Sequence, residues 1–268
     1  MDQIRLRDAL ANDGFAVARA VLPAGPLHAL ADRVDALFGS ARAPSRQVLY
    51  VDGRTPPDTP PLDRLLHQWL NPHRYPGDEG TADLLAGPRA LAAEALEAAP
   101  VLFQDLLLVK TAGQARFPWH QDFPFWPVDR PLGVVIWIPL VANAPRAGGL
   151  MFARGSHGLG PQPVVDLHRG HAQDPTQMLP AIDERFEVVC PEIAPGDALI
   201  FSPLVFHGSP PRRVGGRRVA WSSIWLHPDV RWSHERAPAH PICRQVIDGA
   251  PVHPLTTAAP QPPQPMPT

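Results

Sequence analysis

The sequence predicts a mainly β fold, a β-sandwich or jelly roll with helices packed outside it. Two observations carry this. After Pro100 the chain breaks into short apolar or alternating runs: VLFQDLLLVKT, GVVIWIPLV, GGLMFA, FEVVCPEI, DALIFSP and RRVAWSSIWLH. Gly/Pro-rich turns such as APRAGG, APGD and SPPRRVGG divide them. Before Pro100 the pattern is mainly helical, and helices preceding a run of strands pack against the sheets as an outer layer.

Taken in order, residues 3–12 read as a helix and GFAVARAVLP (14–23) as a short strand entered through a glycine turn. From Ala24 to Phe38, the residues Leu27, Leu30, Val34, Leu37 and Phe38 fall on one helical stripe. Residues 40–61, with prolines at 44, 56, 57, 60 and 61, read as loop. LDRLLHQWL (62–70) and the stretch from Thr81 to Ala99 read as helices, and the strand runs follow. The expected organisation is one domain over 1–250, with a helical part at 1–99 and a jelly-roll core at 100–228. A Pro-rich, almost uncharged tail (251–268) is expected to be disordered.

Composition narrows the function. Hydrophobic residues make up 44% of the 268, enough for a sizeable core. The formal charge of -2 offers no basic surface for nucleic acid, and no apolar run reaches membrane-spanning length. The N-terminal stretch lacks the apolar core of a secretory signal, and Cys190 and Cys243 are too few for a disulfide framework. The expectation is a cytoplasmic, reduced protein. Of 24 basic residues only Lys110 is a lysine, which marks a place where a compact ammonium is retained.

The chemistry concentrates in WHQDFPFWP (119–127). On a strand, residues i and i+2 share a face, so His120 and Asp122 would project together while Gln121 faces away. One imidazole and one carboxylate make two metal ligands. A redox-active iron centre with open positions takes a third, and His207 in SPLVFHGSPP is the candidate. With 12 histidines, HxD alone arises about once by chance. A second pair, His227 and Asp229, is followed only by a short proline-rich stretch and is read as a surface turn. What favours the first pair is Ser209 two residues beyond His207, and Arg218 eleven beyond it, opening an apolar strand. A guanidinium fork and a hydroxyl there suit the distal carboxylate of a dicarboxylate.

These pieces resemble the phytanoyl-CoA dioxygenase family of Fe(II)- and 2-oxoglutarate-dependent oxygenases, over roughly residues 5–235. The matching segments are GFAVARAVL, the strand ending in Lys110, WHQDF, VVIWIPLVANAPRAGGLMFARGSHG, APGDALIF, and HGS followed by Arg218. The resemblance implies a double-stranded β-helix, a cupin-like jelly roll, with His120, Asp122 and His207 as iron ligands. It implies that Arg218 and Ser209 hold 2-oxoglutarate, that Trp137 matches a pocket position, and that Gln104 and Lys110 line or bind the cosubstrate. It further implies oxygen as second cosubstrate, succinate and carbon dioxide as products, and a small-molecule substrate, with hydroxylation the default outcome. Halogenating relatives lack the acidic ligand, so Asp122 argues against halogenation. The proline usual in the PGSH turn is Arg154 here, read as a solvated loop charge.

The rings of Trp119, Phe123, Phe125, Trp126 and Phe206 suit the wall of an apolar chamber, although strand alternation turns some of them away. A small or mid-sized, partly apolar organic molecule is therefore the expected substrate, a specialised metabolite ahead of a free amino acid or a lipid. His157 is read as structural. His168 and His171 belong to an insertion in the 160–185 region, read as a surface loop. Lys110, with no adjacent base, is read as a charge-pairing or surface residue rather than a nucleophile. Two rivals use the same residues differently. A zinc hydrolase would turn over without oxygen and would not need Arg218 and Ser209. A noncatalytic binding barrel would hold no iron. No assembly signal is evident.

Overall fold

The computed structural model describes residues 3–39, 48–50, 66–70, 84–111, 117–164, 182–238 and 240–253. The expected loop at 40–47 and 51–61, the insertion with His168 and His171, and the tail from 254 lie outside the described residues, as do residues 62–65 and 81–83 of the expected helices.

Two antiparallel sheets form the frame. Helix α1 (Gln3–Asn12) leads through Gly14 into β1 (Phe15–Ala18). Gly14 has φ +83°, and a Cβ there would lie 2.7 Å from His157 Nδ1 and 2.9 Å from Val205, so the turn demands glycine on both conformation and space. Helix α2 (Ala24–Gly39), strands β2 (Val48–Tyr50) and β3 (Leu66–Leu70), and helix α3 (Ala86–Leu96) complete the first part. The strands β4 (Val101–Thr111), β5 (Phe117–His120), β6 (Gly133–Pro139), β7 (Met151–Ala153), β8 (Val188–Val189), β9 (Ala198–Phe201), β10 (His207–Ser209) and β11 (Arg217–Leu226) follow. The larger sheet has the order β1-β9-β6-β11-β4-β3-β2 and the smaller β5-β10-β7-β8.

Period-two alternation separates the two faces of the larger sheet. Ala16, Ile136, Ile138, Ile200, Val219, Trp221 and Trp225 pack with Leu6, Leu27, Leu30, Val34 and Ala92 of the helices. Phe15, Val135, Trp137, Leu199, Phe201, Ala220 and Ile224 face the other way, into a second core. That core is shared with Phe103, Phe123, Trp126 and the C-terminal residues Val230, Trp232, Ile242, Val246 and Val252. The jelly roll with external helices is thus as the sequence predicts. No helix among the described residues is long and apolar enough to cross a membrane.

Two local expectations are corrected. Residues 66–70, read as helical, form β3, paired with β4 from Leu66 opposite Lys110 to Leu70 opposite Leu106. Apolar positions in LDRLLHQWL fit helical spacing, but the open edge of β4 offers a full ladder of backbone partners, and tertiary pairing overrides a short ambiguous run. Residues 48–50, read as loop, add a further strand antiparallel to β3.

Candidate metal and anion site

The smaller sheet builds the metal-type cluster. Strands β5 and β10 are antiparallel neighbours, with His120 directly opposite His207. This pairing sets the two imidazoles 4.1 Å apart, centroid to centroid. Gly208 makes the close approach of the strands feasible, since a Cβ there would stand 2.9 Å from the Phe117 carbonyl oxygen.

Asp122 arrives differently from the expected strand alternation. Strand β5 ends at His120, and Asp122 has helical dihedrals (φ -79°, ψ -39°) at the head of a 3-10 turn, Phe123–Phe125. The Asp122 and Phe123 N–H groups both donate to the Pro203 carbonyl, at 3.0 and 3.1 Å, which bends the chain before a second strand residue can form. The carboxylate reaches the histidines from this turn, with Oδ1 3.6 Å from Nε2 of each. Among the described residues these three are the cluster whose ligand atoms all lie within 4.8 Å of one another.

Each imidazole is oriented from behind. His120 Nδ1 lies 2.9 Å from the Pro118 carbonyl and His207 Nδ1 3.1 Å from that of Val205. A carbonyl only accepts, so Nδ1 carries the proton and the Nε2 lone pair faces the centre, the tautomer a metal requires. Burial lowers both histidines to about 4; the facing His207 adds to the effect on His120, whereas Asp122 opposes it. Burial raises Asp122 to about 6, against the pull of His120. Two neutral imidazoles and a carboxylate, short of positive charge, fit a divalent cation.

A second polar cluster sits beside this one and contains no acid among its described members. Arg218 on β11 stands directly opposite Lys110 on β4, both buried. Lys110 Nζ donates to Ser209 Oγ at 2.8 Å and to the Pro210 carbonyl at 2.7 Å. Ser209 lies two residues from His207 on β10. Arg218 Nη1 donates to the Gly148 carbonyl, while its Nε has no partner. The guanidinium lies 5.6 Å from the centroid of the Trp137 ring, whose buried Nε1 is also without a partner. Burial, then Arg218 and Arg212, push Lys110 down to about 7, and burial and Arg212 lower Arg218 to about 10. Arg212 is itself taken up by the carbonyls of Ala147, Gly215 and Gly216. Buried cations with idle donors and no carboxylate beside them have the chemistry to hold an anion. Lys110 is therefore a buried residue, and the surface reading of it is corrected.

Other residues resolve as follows. Gln104 lies on the same face of β4 as Lys110 but about 20 Å further along, opposite Ile224. That rung continues through Val135 to Phe201, whose ring is 4.8 Å from that of His207. Phe125 stands 6.4 Å from His120, whereas Phe123 and Trp126 pack in the inner core. Trp119 and Phe206, each adjacent to a histidine of the cluster, join Ala153 and Ile182 in a separate cluster, and Trp119 Nε1 donates to Asp183 at 2.9 Å. Alternation separates Trp119 from His120, and the register shift between β5 and β10, which sets Phe117 opposite Ser209, returns Phe117 to the His120 side. The rings nearest the histidines include Phe117 (5.0 Å from His120) and Phe152 (6.2 Å from His207). Neither they nor Phe201 was singled out from the sequence, although the run DALIF places Phe201 on the face of Leu199.

Arg154 pairs with Asp13 at 2.5 Å and Glu187 at 2.9 Å. His157 sits 3.0 Å from the Ala11 carbonyl, tying its turn to α1. Asp229 is exposed and its N–H donates to His227 Nδ1, a local turn. Both cysteines are free.

A sequence model of the phytanoyl-CoA dioxygenase family matches residues 10–220. No curated protein matches the sequence. Among solved structures, the fold is similar to a non-heme alpha ketoglutarate dependent carbocyclase, SnoK, from nogalamycin biosynthesis. Its TM-score is 0.71 at 14% identity, over 93% of this chain and 92% of that one. The epimerase SnoN, in complex with Fe3+, alpha ketoglutarate and nogalamycin RO, gives 0.70 at 17% identity over 95% of both chains. EctD from S. alaskensis, with 2-oxoglutarate and 5-hydroxyectoine, gives 0.66 at 21% identity over 85% of this chain and 77% of that one.

Proposed function

This chain belongs to the phytanoyl-CoA dioxygenase family, and from that premise we propose that it oxidises a small, partly apolar organic molecule with iron(II), 2-oxoglutarate and oxygen. The observation that carries the reading is the pairing of two sites: a His–Asp–His cluster, and beside it the acid-free cluster of Arg218, Lys110 and Ser209. A hydrolytic zinc centre has no use for the second. A noncatalytic barrel has no use for the first.

His120, Asp122 and His207 would hold iron. Arg218, Lys110 and Ser209 would hold the distal carboxylate of 2-oxoglutarate, with Trp137 Nε1 available as a further donor. When bound, the iron and its cosubstrates supply oxidation at a substrate carbon, with 2-oxoglutarate converted to succinate and carbon dioxide. The Pro118 and Val205 carbonyls keep each imidazole in the ligating tautomer. Phe117, Phe125, Phe152 and Phe201 line the histidines with apolar surface that excludes water. Gln104 would line the same chamber.

Hydroxylation of a specialised metabolite is the default outcome. The similar structures from nogalamycin biosynthesis support a metabolite of that kind, and their names, a carbocyclase and an epimerase, place other outcomes beside hydroxylation. The test is aerobic incubation with Fe(II), 2-oxoglutarate and a metabolite panel, with succinate as readout. Substrate-stimulated succinate, with a product that gains one oxygen, supports the proposal. Turnover that proceeds without oxygen or 2-oxoglutarate overturns it.

A further inference from the structure

We propose that Gln121 is a positioning residue that sets where the Asp122 carboxylate stands relative to the two histidines. The inference rests on the reading of His120, Asp122 and His207 as a metal site. The strand ladder fixes the histidines against one another, because His120 and His207 are direct partners. It does not fix Asp122, which lies beyond the end of β5 in the 3-10 turn.

The Gln121 side chain is almost fully buried. Its Nε2 donates to the carbonyls of Leu204, at 2.7 Å, and Gly160, at 3.0 Å, and its Oε1 accepts from the Gln162 N–H at 2.7 Å. Both amide protons and the oxygen are therefore engaged, all by backbone. The adjacent carbonyl, Pro203, takes the Asp122 and Phe123 N–H groups. Gln121 and Asp122 thus grip two consecutive carbonyls of the turn that leads into His207, whose ring in turn rests on the Val205 carbonyl. One residue stitches the carboxylate-bearing turn, the His207-bearing turn and the 160–162 segment together. Only a carboxamide at that reach supplies two donors and one acceptor. Glutamate presents acceptors to two carbonyls, and methionine presents nothing.

The test uses the metal-free protein titrated with Co(II), read by visible absorption, so that it depends on no turnover. Gln121→Met and Gln121→Glu are compared with wild type, with Asp122→Ala as the reference for a site lacking its carboxylate. Leu30→Ala, a cavity in the helix-side core, serves as a destabilised control. Both Gln121 variants are expected to bind Co(II) about 10- to 100-fold more weakly, with band shapes moved toward that of Asp122→Ala. For Gln121→Glu this holds despite the added negative charge. Leu30→Ala is expected to keep the wild-type spectrum and affinity. Should Gln121→Met fail to fold, Gln121→Glu keeps the shape of the side chain and carries the comparison. Wild-type affinity and spectrum in the Gln121 variants, or an equal loss in Leu30→Ala, would overturn the positioning role alone. A folded wild type that takes up no Co(II) would overturn the metal reading and this inference with it.

Discussion

Replacing Lys110 by methionine should stabilise the protein at neutral pH while weakening its hold on 2-oxoglutarate. Lys110 is 1% exposed and its pKa falls from 10.5 to about 7. The folded value lies below the unfolded one, so the unfolded chain binds the extra proton. The penalty is full below pH 7 and vanishes as pH rises through 10.5. Its size is about 5 kcal/mol, from about 1.4 kcal/mol per pH unit. Against it stand the hydrogen bonds to Ser209 and Pro210, whose loss costs on the order of 2–3 kcal/mol. The variant should therefore be about 2 kcal/mol more stable at pH 7, about equal near pH 9 and less stable above that. Urea unfolding of the ligand-free proteins across this range, with calorimetric titration of 2-oxoglutarate, measures both effects. A variant less stable than wild type at pH 7, by an amount that does not change with pH, would refute the reasoning.

Three further outcomes follow from the same geometry. Wild-type affinity for 2-oxoglutarate should fall by up to about 10-fold per pH unit above 7 as Lys110 loses its proton, with proton uptake on binding seen as buffer-dependent heat; Lys110→Arg should flatten the profile. Ser209→Ala should weaken 2-oxoglutarate by about 5- to 10-fold, the worth of one hydrogen bond, whereas Arg218→Met should weaken it by about 100-fold or more, both read by calorimetry. Gly208→Ala, which brings a Cβ to 2.9 Å from the Phe117 carbonyl, should cost about 1–3 kcal/mol in urea unfolding and also weaken metal binding by displacing β5 from β10.

The strands were legible because they are apolar runs bounded by Gly/Pro turns: VLFQDLLLVKT is β4 from end to end, and RRVAWSSIWL is β11, buried at nine consecutive positions from Arg218. LHQWL was not, because a five-residue apolar run carries no period of its own and its state depends on the β4 edge beside it. The three metal-type residues were legible as a set, through HxD and a distant histidine, yet the route by which Asp122 reaches them was not. That route depends on Pro203, eighty-one positions away in the chain. Gln121 was hidden for the same reason, since all its partners are distant backbone atoms that no local pattern encodes. Lys110 stood out as the single lysine, but its burial depends on the tertiary pairing of β4 on both sides, with Arg218 of β11 and Leu66 of β3 opposite it. Alternation on β5 puts Trp119 and the His120 imidazole on opposite sides, whereas Phe117 joins the His120 side through a register shift that no local pattern encodes.

The central claim is that one site holds iron and 2-oxoglutarate together. It is tested most directly by visible absorption of the anaerobic protein as Fe(II) and then 2-oxoglutarate are added, with His207→Ala and Arg218→Ala alongside. The account predicts a charge-transfer band in the wild type that needs both additions, is absent in His207→Ala and is weakened in Arg218→Ala. A wild type that shows no band and binds neither iron nor 2-oxoglutarate would contradict it.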